Sequence, residues 1–295
     1  MDYLLLFVYS ILIVLCSTLG GMLPSFLQFT HRRIQLTLSL VSGVMLGVAM
    51  LHLLPHSIQI LNNDIRQAMM AALAGLLFMF LLIRTFHFHQ HDVPGETSES
   101  NGHCDHDHHD HHHHDEHIHP EEEPPAENVV AAHSRDLSWA GLSFGLALHT
   151  LVDGLALAAA YSAERSHSSW AGLGTFLAIV LHKPMDALTI TSLMSARKAS
   201  ATQQMIVNLI FALMCPLGAI LFTFSFDQWE LLGPSAIGIT LAFSAGVFLC
   251  ISLGDLLPEV HFHSHDRVPL SLMLLLGVGI AYLIEFVIPH QHSLQ

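Results

Sequence analysis

The sequence predicts an all-α polytopic membrane protein with eight transmembrane helices, and its composition is the first reason. Of its 295 residues, 52% are hydrophobic and only 12% are charged, and the mean hydropathy is +0.52. A soluble domain carries about 25% charged residues. The net charge of -14 is concentrated, because the 12 Asp and Glu residues between His87 and His133 have no Lys or Arg among them. Such an acidic chain gives no reason to expect nucleic acid as a partner.

The second reason is that eight apolar segments reach roughly the 20 residues that a spanning helix needs. The first segment has no basic n-region and is too long for a signal-peptide core, so we interpret it as a retained span. The eight predicted spans are residues 3–23, 37–60, 67–86, 138–162, 170–195, 204–226, 236–257 and 269–289.

These spans form one membrane domain, with helices 1–3 in residues 1–86 and helices 4–8 in residues 137–295. The segment between them, 87–136, is rich in His, Asp, Glu, Pro and Ser, and this composition predicts a disordered cytoplasmic loop. The His-rich part of the loop either captures metal weakly or is a dispensable solvated segment. Its candidate metal-capturing residues are His106, His108, His109, His111, His112, His113 and His114.

The Lys and Arg residues of the loops predict the orientation, because they accumulate on the cytoplasmic side. Only Arg66 and Arg165 fall on one side of the predicted membrane. The prediction therefore places both termini outside the cytoplasm and the His-rich loop inside, in a cell membrane (plasma or inner). The residues on the cytoplasmic side are Arg32, Arg33, Arg84, Arg135, Arg197, Lys198 and Arg267.

The third reason for this fold class is internal similarity. GVMLGVAMLHLLPH, from Gly43, and GVFLCISLGDLLPE, from Gly246, align without gaps and share six identical positions. LHTLVDGLAL in span 4 and LHKPMDALTI in span 5 also align. The members of each pair run in opposite directions in the predicted topology. This favours a 3+2+3 inverted repeat, an architecture of secondary transporters that bind substrate near the membrane midplane.

The aligned span 4 and span 5 segments each carry a His and an Asp four residues apart, His149/Asp153 and His182/Asp186. Residues at this spacing share one helix face, and both pairs lie near the middle of their spans. A carboxylate there costs about 2.5–3.5 kcal/mol, so a compensating cation is expected. Two imidazoles and two carboxylates suit zinc, and leave iron, manganese and cadmium open. Alternatively, each pair is a structural hydrogen bond that joins helices of the bundle.

The eight spans, the His-rich loop after span 3, and the motifs HTLVDG and HKPMDA resemble the ZIP family of metal-ion transporters. The resemblance implies a transported metal bound by His149, Asp153, His182 and Asp186. The sequence departs from two-metal family members, since Thr150 and Lys183 follow the two histidines. We therefore expect one transport metal, with Lys183 standing in for a second cation against Asp153 or Asp186.

Other polar residues suggest a path to and from this site. His52 and His56, in the outer half of span 2, are candidates for an entrance. A cluster at the cytoplasmic end of span 7 is a candidate exit relay or a set of ordinary interfacial residues. That cluster comprises Asp255, Glu259, His261 and His263. Pro184 should kink span 5 beside the site, because its ring obstructs the carbonyl of Val180.

The favoured function is import of a divalent metal, most of all zinc, into the cytoplasm. No GxxxxGK[ST] loop for ATP is present. One alternative is an exporter like the cation diffusion facilitators, although those have six spans and a C-terminal cytoplasmic domain. The other is an intramembrane zinc hydrolase, which would need an open coordination position and a general base. We expect no enzyme activity and no catalytic cofactor; the partners are metal ions, the lipid bilayer and, left open, a second copy of the chain.

Overall fold

The computed structural model describes residues 3–22, 31–86, 127–166, 168–228, 233–262 and 267–287. These residues form helices and connecting turns and contain no strand, which confirms the predicted all-helical class for this part of the chain. The helices are α1 (Leu4–Met22), α2 (His31–Gly47, continued by Val48–Leu53 and Leu54–Ile60), α3 (Ile65–Phe86), α4 (Glu127–Glu164), α5 (Leu173–Ala196), α6 (Ala201–Gln228), α7 (Gly233–Phe262) and α8 (Arg267–Val287).

Helices α1 to α7 each contain a segment long and apolar enough to cross a membrane. The apolar stretch of α8, Val268–Ile284, is shorter in the described residues. Helices α1, α3, α6 and α8 keep many large apolar side chains exposed, which water would not tolerate but lipid tails would. The chain is therefore a multi-pass integral membrane protein.

The start of α4 corrects one predicted boundary. Residues 127–136 were predicted to belong to the disordered loop, but α4 begins at Glu127. The acidic, His-rich composition ends there, and the following residues contain neither Gly nor Pro until Gly141. The loop that remains, residues 87–126, lies outside the described residues.

Helix α2 contains a π-helical turn, Val48–Leu53, in which the Leu54 N–H reaches the carbonyl of Ala49. Pro55 follows at once and has no N–H to donate to the carbonyl of Leu51. A π-helical turn accommodates one extra residue and changes the direction in which side chains point. Here it carries His52 into the interior, where only 4% of the residue is exposed.

Glycines let two pairs of helices pack backbone to backbone in a matching way. A Cβ at Gly43 of α2 would overlap the carbonyl oxygen of Leu274 in α8, and one at Gly246 of α7 would overlap that of Ala72 in α3. The reciprocal contacts repeat the match: Gly277 of α8 lies against α2, and Gly75 of α3 lies against α7. The α2–α8 and α3–α7 contacts thus use equivalent positions of the aligned span 2 and span 7 segments.

Candidate metal site

The turn between α4 and α5 sets the two histidine–aspartate motifs at the same depth. The backbone N–H of Gly172 donates to Glu164 Oε2 at 2.9 Å, and Gly172 has a φ of 74°, a left-handed conformation that favours glycine. From this connection, Asp153 lies eleven residues back along α4 and His182 lies ten residues forward along α5. Nearly equal helical distances bring the two motifs side by side.

Three of the four predicted ligands form a compact, buried group. Asp153 Oδ2 lies 3.5 Å from His149 Nε2 and 3.3 Å from His182 Nε2. The imidazole rings are 5.5 Å apart between centroids. Among the side chains that the structure describes, these three residues offer ligand atoms that all lie within 4.8 Å of one another. That spacing is small enough for the atoms to converge on one ion with little movement.

Asp186 lies at the more accessible side of this group. Its Oδ2 is 3.9 Å from His149 Nε2 and 3.8 Å from His182 Nε2. The Asp186 side chain is 19% exposed, whereas Asp153 is completely buried. The fourth predicted ligand is therefore near the site, and its side chain is more exposed than those of the other three.

The hydrogen bonds of His182 fix which of its nitrogens can bind a cation. His182 Nδ1 lies 2.8 Å from the carbonyl oxygen of Ala178, to which it donates. In the neutral ring the lone pair is then on Nε2, facing Asp153. Nε2 lies 3.3 Å from Asp153 Oδ2, to which it donates only when the ring is protonated. Metal-binding histidines generally donate their second N–H to a carbonyl in this manner.

Several atoms of the site have no hydrogen-bond partner although they are buried. They are both ring nitrogens of His149, Oδ1 of Asp153 and Oδ2 of Asp186. Buried polar atoms normally have partners. A cation bound among these side chains would supply the partner that such atoms lack. The donor set of two nitrogens and two carboxylates therefore fits a divalent first-row metal.

Comparison with known proteins gives the family. The family model described as ZIP Zinc transporter matches residues 3–285, nearly the whole chain. The chain belongs to the ZIP zinc transporter family. The resemblance seen in the sequence motifs is thereby confirmed, and the protein is a membrane transporter, not an enzyme.

Relatives of this ZIP family member are themselves named as zinc transporters. It is 25% identical to zinc transporter ZIP9-A of Xenopus laevis over 85% of this chain and 83% of the relative. It is 23% identical to zinc transporter 3 of Arabidopsis thaliana over 84% of this chain and 72% of the relative. It is 29% identical to human zinc transporter ZIP4 over 92% of this chain, but spans 46% of that longer protein. Neither the exporter nor the hydrolase alternative is favoured by these matches.

Thr150 and Lys183, the two residues that depart from the two-metal pattern, are in contact in this ZIP protein. The Lys183 ammonium lies 2.5 Å from Asp153 Oδ2, 3.5 Å from Asp186 Oδ2 and 2.8 Å from the hydroxyl of Thr150. It also lies 5.2 Å from the centre of the Phe211 ring. Lys183 thus contacts both carboxylates, and one positive charge stands against two negative charges when no metal is bound.

Pro184 disturbs the hydrogen bonding of α5 without ending the helix. The helix continues from Leu173 to Ala196, and the carbonyl of Val180, which has no proline N–H to accept, is 3.5 Å from the thiol of Cys16 in α1. Helix α1 comes close at this point because Gly20 has no side chain to overlap Pro184. The Val180 carbonyl thus has the Cys16 thiol of α1 as a donor in place of a helical N–H. The predicted kink of span 5 stays a prediction.

Glu164, at the end of α4, was not among the residues predicted from the sequence. Its Oε1 lies 2.9 Å from Nε2 of His52, one of the two predicted entrance residues. The ring of the other, His56, is 6.2 Å from the His52 ring. Glu164 and Asp153 are the only acids of the apolar segment from Ser143 onward, and this isolation was the signal that could have identified Glu164.

The structure does not describe the side chains of the predicted exit. Asp255, Glu259 and His261 lie in the last turns of α7, where only the backbone is described, and His263 lies outside the described residues. The candidate metal-capturing histidines of the loop, His106 to His114, also lie outside the described residues. Their predicted roles stay predictions.

Proposed function

We propose that this ZIP family member moves a divalent metal ion, zinc above all, into the cytoplasm through a site formed by His149, Asp153, His182 and Asp186. The observation that carries the proposal is the convergence of these side chains in the membrane interior, with several of their ligand atoms lacking hydrogen-bond partners. The relatives named as zinc transporters support zinc as the substrate. Iron, manganese and cadmium are further candidate substrates because carboxylates and imidazoles also bind them.

Binding at this site uses four side chains and one metal. His149 and His182 present nitrogen lone pairs, and Asp153 and Asp186 supply the negative charge that offsets the loss of the ion's water shell. Lys183 occupies the place beside Asp153 where a second cation would otherwise be needed. Its distances to both carboxylates support this role, and they favour one transported ion at a time.

The proposed architecture is an eight-helix 3+2+3 inverted repeat with both termini outside the cytoplasm. The matched glycine contacts support it, since α2 packs on α8 in the way that α7 packs on α3. Contacts of α4 with α6 and of α5 with α1 form a second pair related in the same way. In alternating access, α1, α4, α5 and α6 would move as one group against α2, α3, α7 and α8.

The membrane potential supplies a driving force in the proposed direction. Each elementary charge that moves across 100 mV gains about 2.3 kcal/mol, so a divalent ion entering a negative interior gains about 4.6 kcal/mol. The ion would leave past Asp186, which is the accessible ligand. Asp255, Glu259, His261 and His263 would then pass it on at the cytoplasmic end of α7. The chain is proposed to act in the plasma or inner membrane, alone or as a homodimer.

Reconstitution tests the function and its direction together. The purified chain is placed in liposomes that contain a fluorescent zinc indicator, and a potassium gradient with valinomycin sets the potential. We expect zinc uptake that increases with inside-negative potential in vesicles whose protein is oriented with its termini outside. Uptake that is no faster than in protein-free liposomes at every potential would contradict the proposal. Competition by iron, manganese and cadmium in the same assay gives the selectivity.

A further inference from the structure

A second pair of buried metal-ligating side chains lies away from the central site. His52 Nε2 and Glu164 Oε1 are 2.9 Å apart, and each side chain is only 4% exposed. Glu164 is eleven residues beyond Asp153 on the same helix, which is about 16 Å along the axis at ~1.5 Å per residue. In the proposed orientation the pair lies on the outer side of the central site.

Three elements hold this pair in place. The π-helical turn of α2 directs His52 inward, and the last turn of α4 carries Glu164. The N–H of Gly172, before α5, binds the other oxygen of Glu164 at 2.9 Å and so orients the carboxylate. Gly174 makes room for the imidazole, because a Cβ there would lie 3.2 Å from His52 Cδ2. The arrangement is therefore built by the fold and is not a chance contact of surface side chains.

The facing atoms of His52 and Glu164 are buried. Nε2 of His52 lies 2.9 Å from Oε1 of Glu164, which is within hydrogen-bond distance. The hydroxyl of Tyr9, from α1, is buried without a hydrogen-bond partner. Tyr9 is held by stacking on Phe176, with ring centroids 4.2 Å apart. Each carboxylate oxygen has two lone pairs, so Oε1 of Glu164 can bind a cation placed between it and the imidazole.

The chemistry of the pair selects the kind of cation. Magnesium and calcium prefer sites made of oxygen atoms, whereas zinc and its first-row neighbours accept an imidazole nitrogen together with a carboxylate. The nitrogen and oxygen are already about as close as two ligands of one tetrahedral ion, which are each about 2.0–2.2 Å from the metal. Water molecules would complete the coordination, so binding would be weaker than at the central site.

We propose that His52 and Glu164 form a second, outer binding position for a divalent transition-metal cation, from which the ion passes to the central site. The proposal rests on the transport function proposed above. The competing interpretation is a purely structural ion pair that joins α2 to the connection between α4 and α5. A structural pair would affect folding and maximal rate, whereas an outer binding position would affect the zinc concentration that uptake requires.

The first test is the kinetics of zinc uptake by the full chain in proteoliposomes. Glu164→Gln and His52→Gln keep the size of each side chain, and we expect each to raise the KM for zinc about tenfold with a smaller change in maximal rate. The double variant should be little worse than either single variant, because both remove the same position. Asp64→Asn is the matched control: Asp64 is exposed and caps α3 through the Gln67 N–H, and asparagine can do the same.

The second test measures occupancy directly and separates this proposal from the proposed function. Glu164→Cys replaces the carboxylate with another metal ligand, and a membrane-impermeant maleimide added outside should label the introduced thiol. Zinc or cadmium should slow this labelling, and should still do so when Asp153→Ala has removed central-site binding. Labelling of the chain that carries only its native cysteines, measured with the same maleimide, gives the background.

Two results would overturn the outer position. One is a KM for zinc in Glu164→Gln that equals the KM of Asp64→Asn. The other is an introduced thiol that zinc and cadmium do not protect, or that the outside reagent never reaches. If protection is present while no variant of the chain transports zinc, the outer position stands and the proposed transport function is at fault.

Discussion

The two histidine–aspartate motifs have the same spacing but different surroundings. In α4, Asp153 is fully buried and is held by Lys183 at 2.5 Å; in α5, Asp186 is 19% exposed and 3.5 Å from the same ammonium. The histidines differ too, because His182 donates to a carbonyl while neither ring nitrogen of His149 has a hydrogen bond. A repeated motif therefore does not give two equivalent half-sites. In the proposed site, the α4 motif would fix the ion and the α5 motif would leave it a way out.

The largest effect is expected for Asp153→Ala. It removes the buried carboxylate that both imidazoles face, and leaves the Lys183 ammonium without its nearest partner. We expect zinc uptake in proteoliposomes to fall by about 100-fold or more, the upper range for changes at metal sites. Asp153→Asn, which preserves shape and a hydrogen bond to Lys183, should fold as well as the unchanged chain in size-exclusion chromatography and still be inactive. Near-normal uptake by the Asn variant would contradict the site assignment.

Asp186→Ala should have a smaller effect on uptake. The Asp186 side chain is partly exposed, so we expect a water molecule to be able to take its coordination position. We expect a loss of about tenfold, measured as kcat/KM for zinc beside Asp153→Ala in the same vesicles. Equal losses in the two variants would mean that the difference in burial does not matter to binding. Unchanged flux in both variants would remove the basis of the proposed site.

Lys183→Met tests the role of the ammonium between the carboxylates. Breaking a buried charge pair by removing one partner costs about 3–5 kcal/mol, so the metal-free variant should unfold more readily. Zinc supplies the missing positive charge and should recover much of the loss. The measurement is thermal unfolding in detergent with a chelator and with zinc. This account would be contradicted if zinc raised the unfolding temperature of Lys183→Met by no more than it raises that of the unchanged chain.

Gly43→Ala and Gly246→Ala test whether the two halves of the bundle pack alike. Each added methyl group would overlap a carbonyl oxygen, of Leu274 and Ala72 respectively. We expect each substitution to destabilise the protein by about 1–3 kcal/mol, seen as similar decreases in unfolding temperature. Gly279→Ala in α8 is the control, because nothing lies within 4 Å of a Cβ there. A large difference between the first two variants would argue against matched packing.

The smallest effect is expected from deletion of residues 97–127, which removes most of the His-rich loop. Such a tract binds zinc weakly and in many geometries, so it is not needed to hold the ion in the membrane. Uptake into proteoliposomes should stay within about twofold of the unchanged chain. Loss of uptake by a deletion variant that still elutes as a folded species would make the loop part of the transport path.

The sequence predicted the helices well because membrane thickness and hydropathy constrain them strongly. It also singled out the two His/Asp pairs that the structure brings together, since a His and an Asp in the middle of an apolar span are costly unless a cation or a partner compensates them. Their role as metal ligands stays a prediction. The start of α4 at Glu127 was missed because composition describes a segment as a whole and does not locate the residue at which a helix begins. Residues 127–136 were assigned to the loop because of the acidic tract before them, although they contain no Gly or Pro that would oppose a helix.

Relations between helices were harder to predict. The contact of Lys183 with Thr150 depends on how α4 and α5 are rotated about their axes, which spacing within either helix does not determine. The partner of His52 was missed for a similar reason. Glu164 is distant in the chain, and His52, which faces it, lies in a π-helical turn that its own sequence does not announce.

In the proposed transport cycle, the lysine beside the central site would also divide the electrical work. With both imidazoles neutral, Asp153, Asp186 and Lys183 give the empty site a charge of -1, and a bound divalent ion changes it to +1. Under an inside-negative potential, the loaded site is pulled inward and the empty site is pushed outward, each by about 2.3 kcal/mol per 100 mV. Without Lys183 the charges would be -2 and 0, and only the return of the empty carrier would respond to voltage.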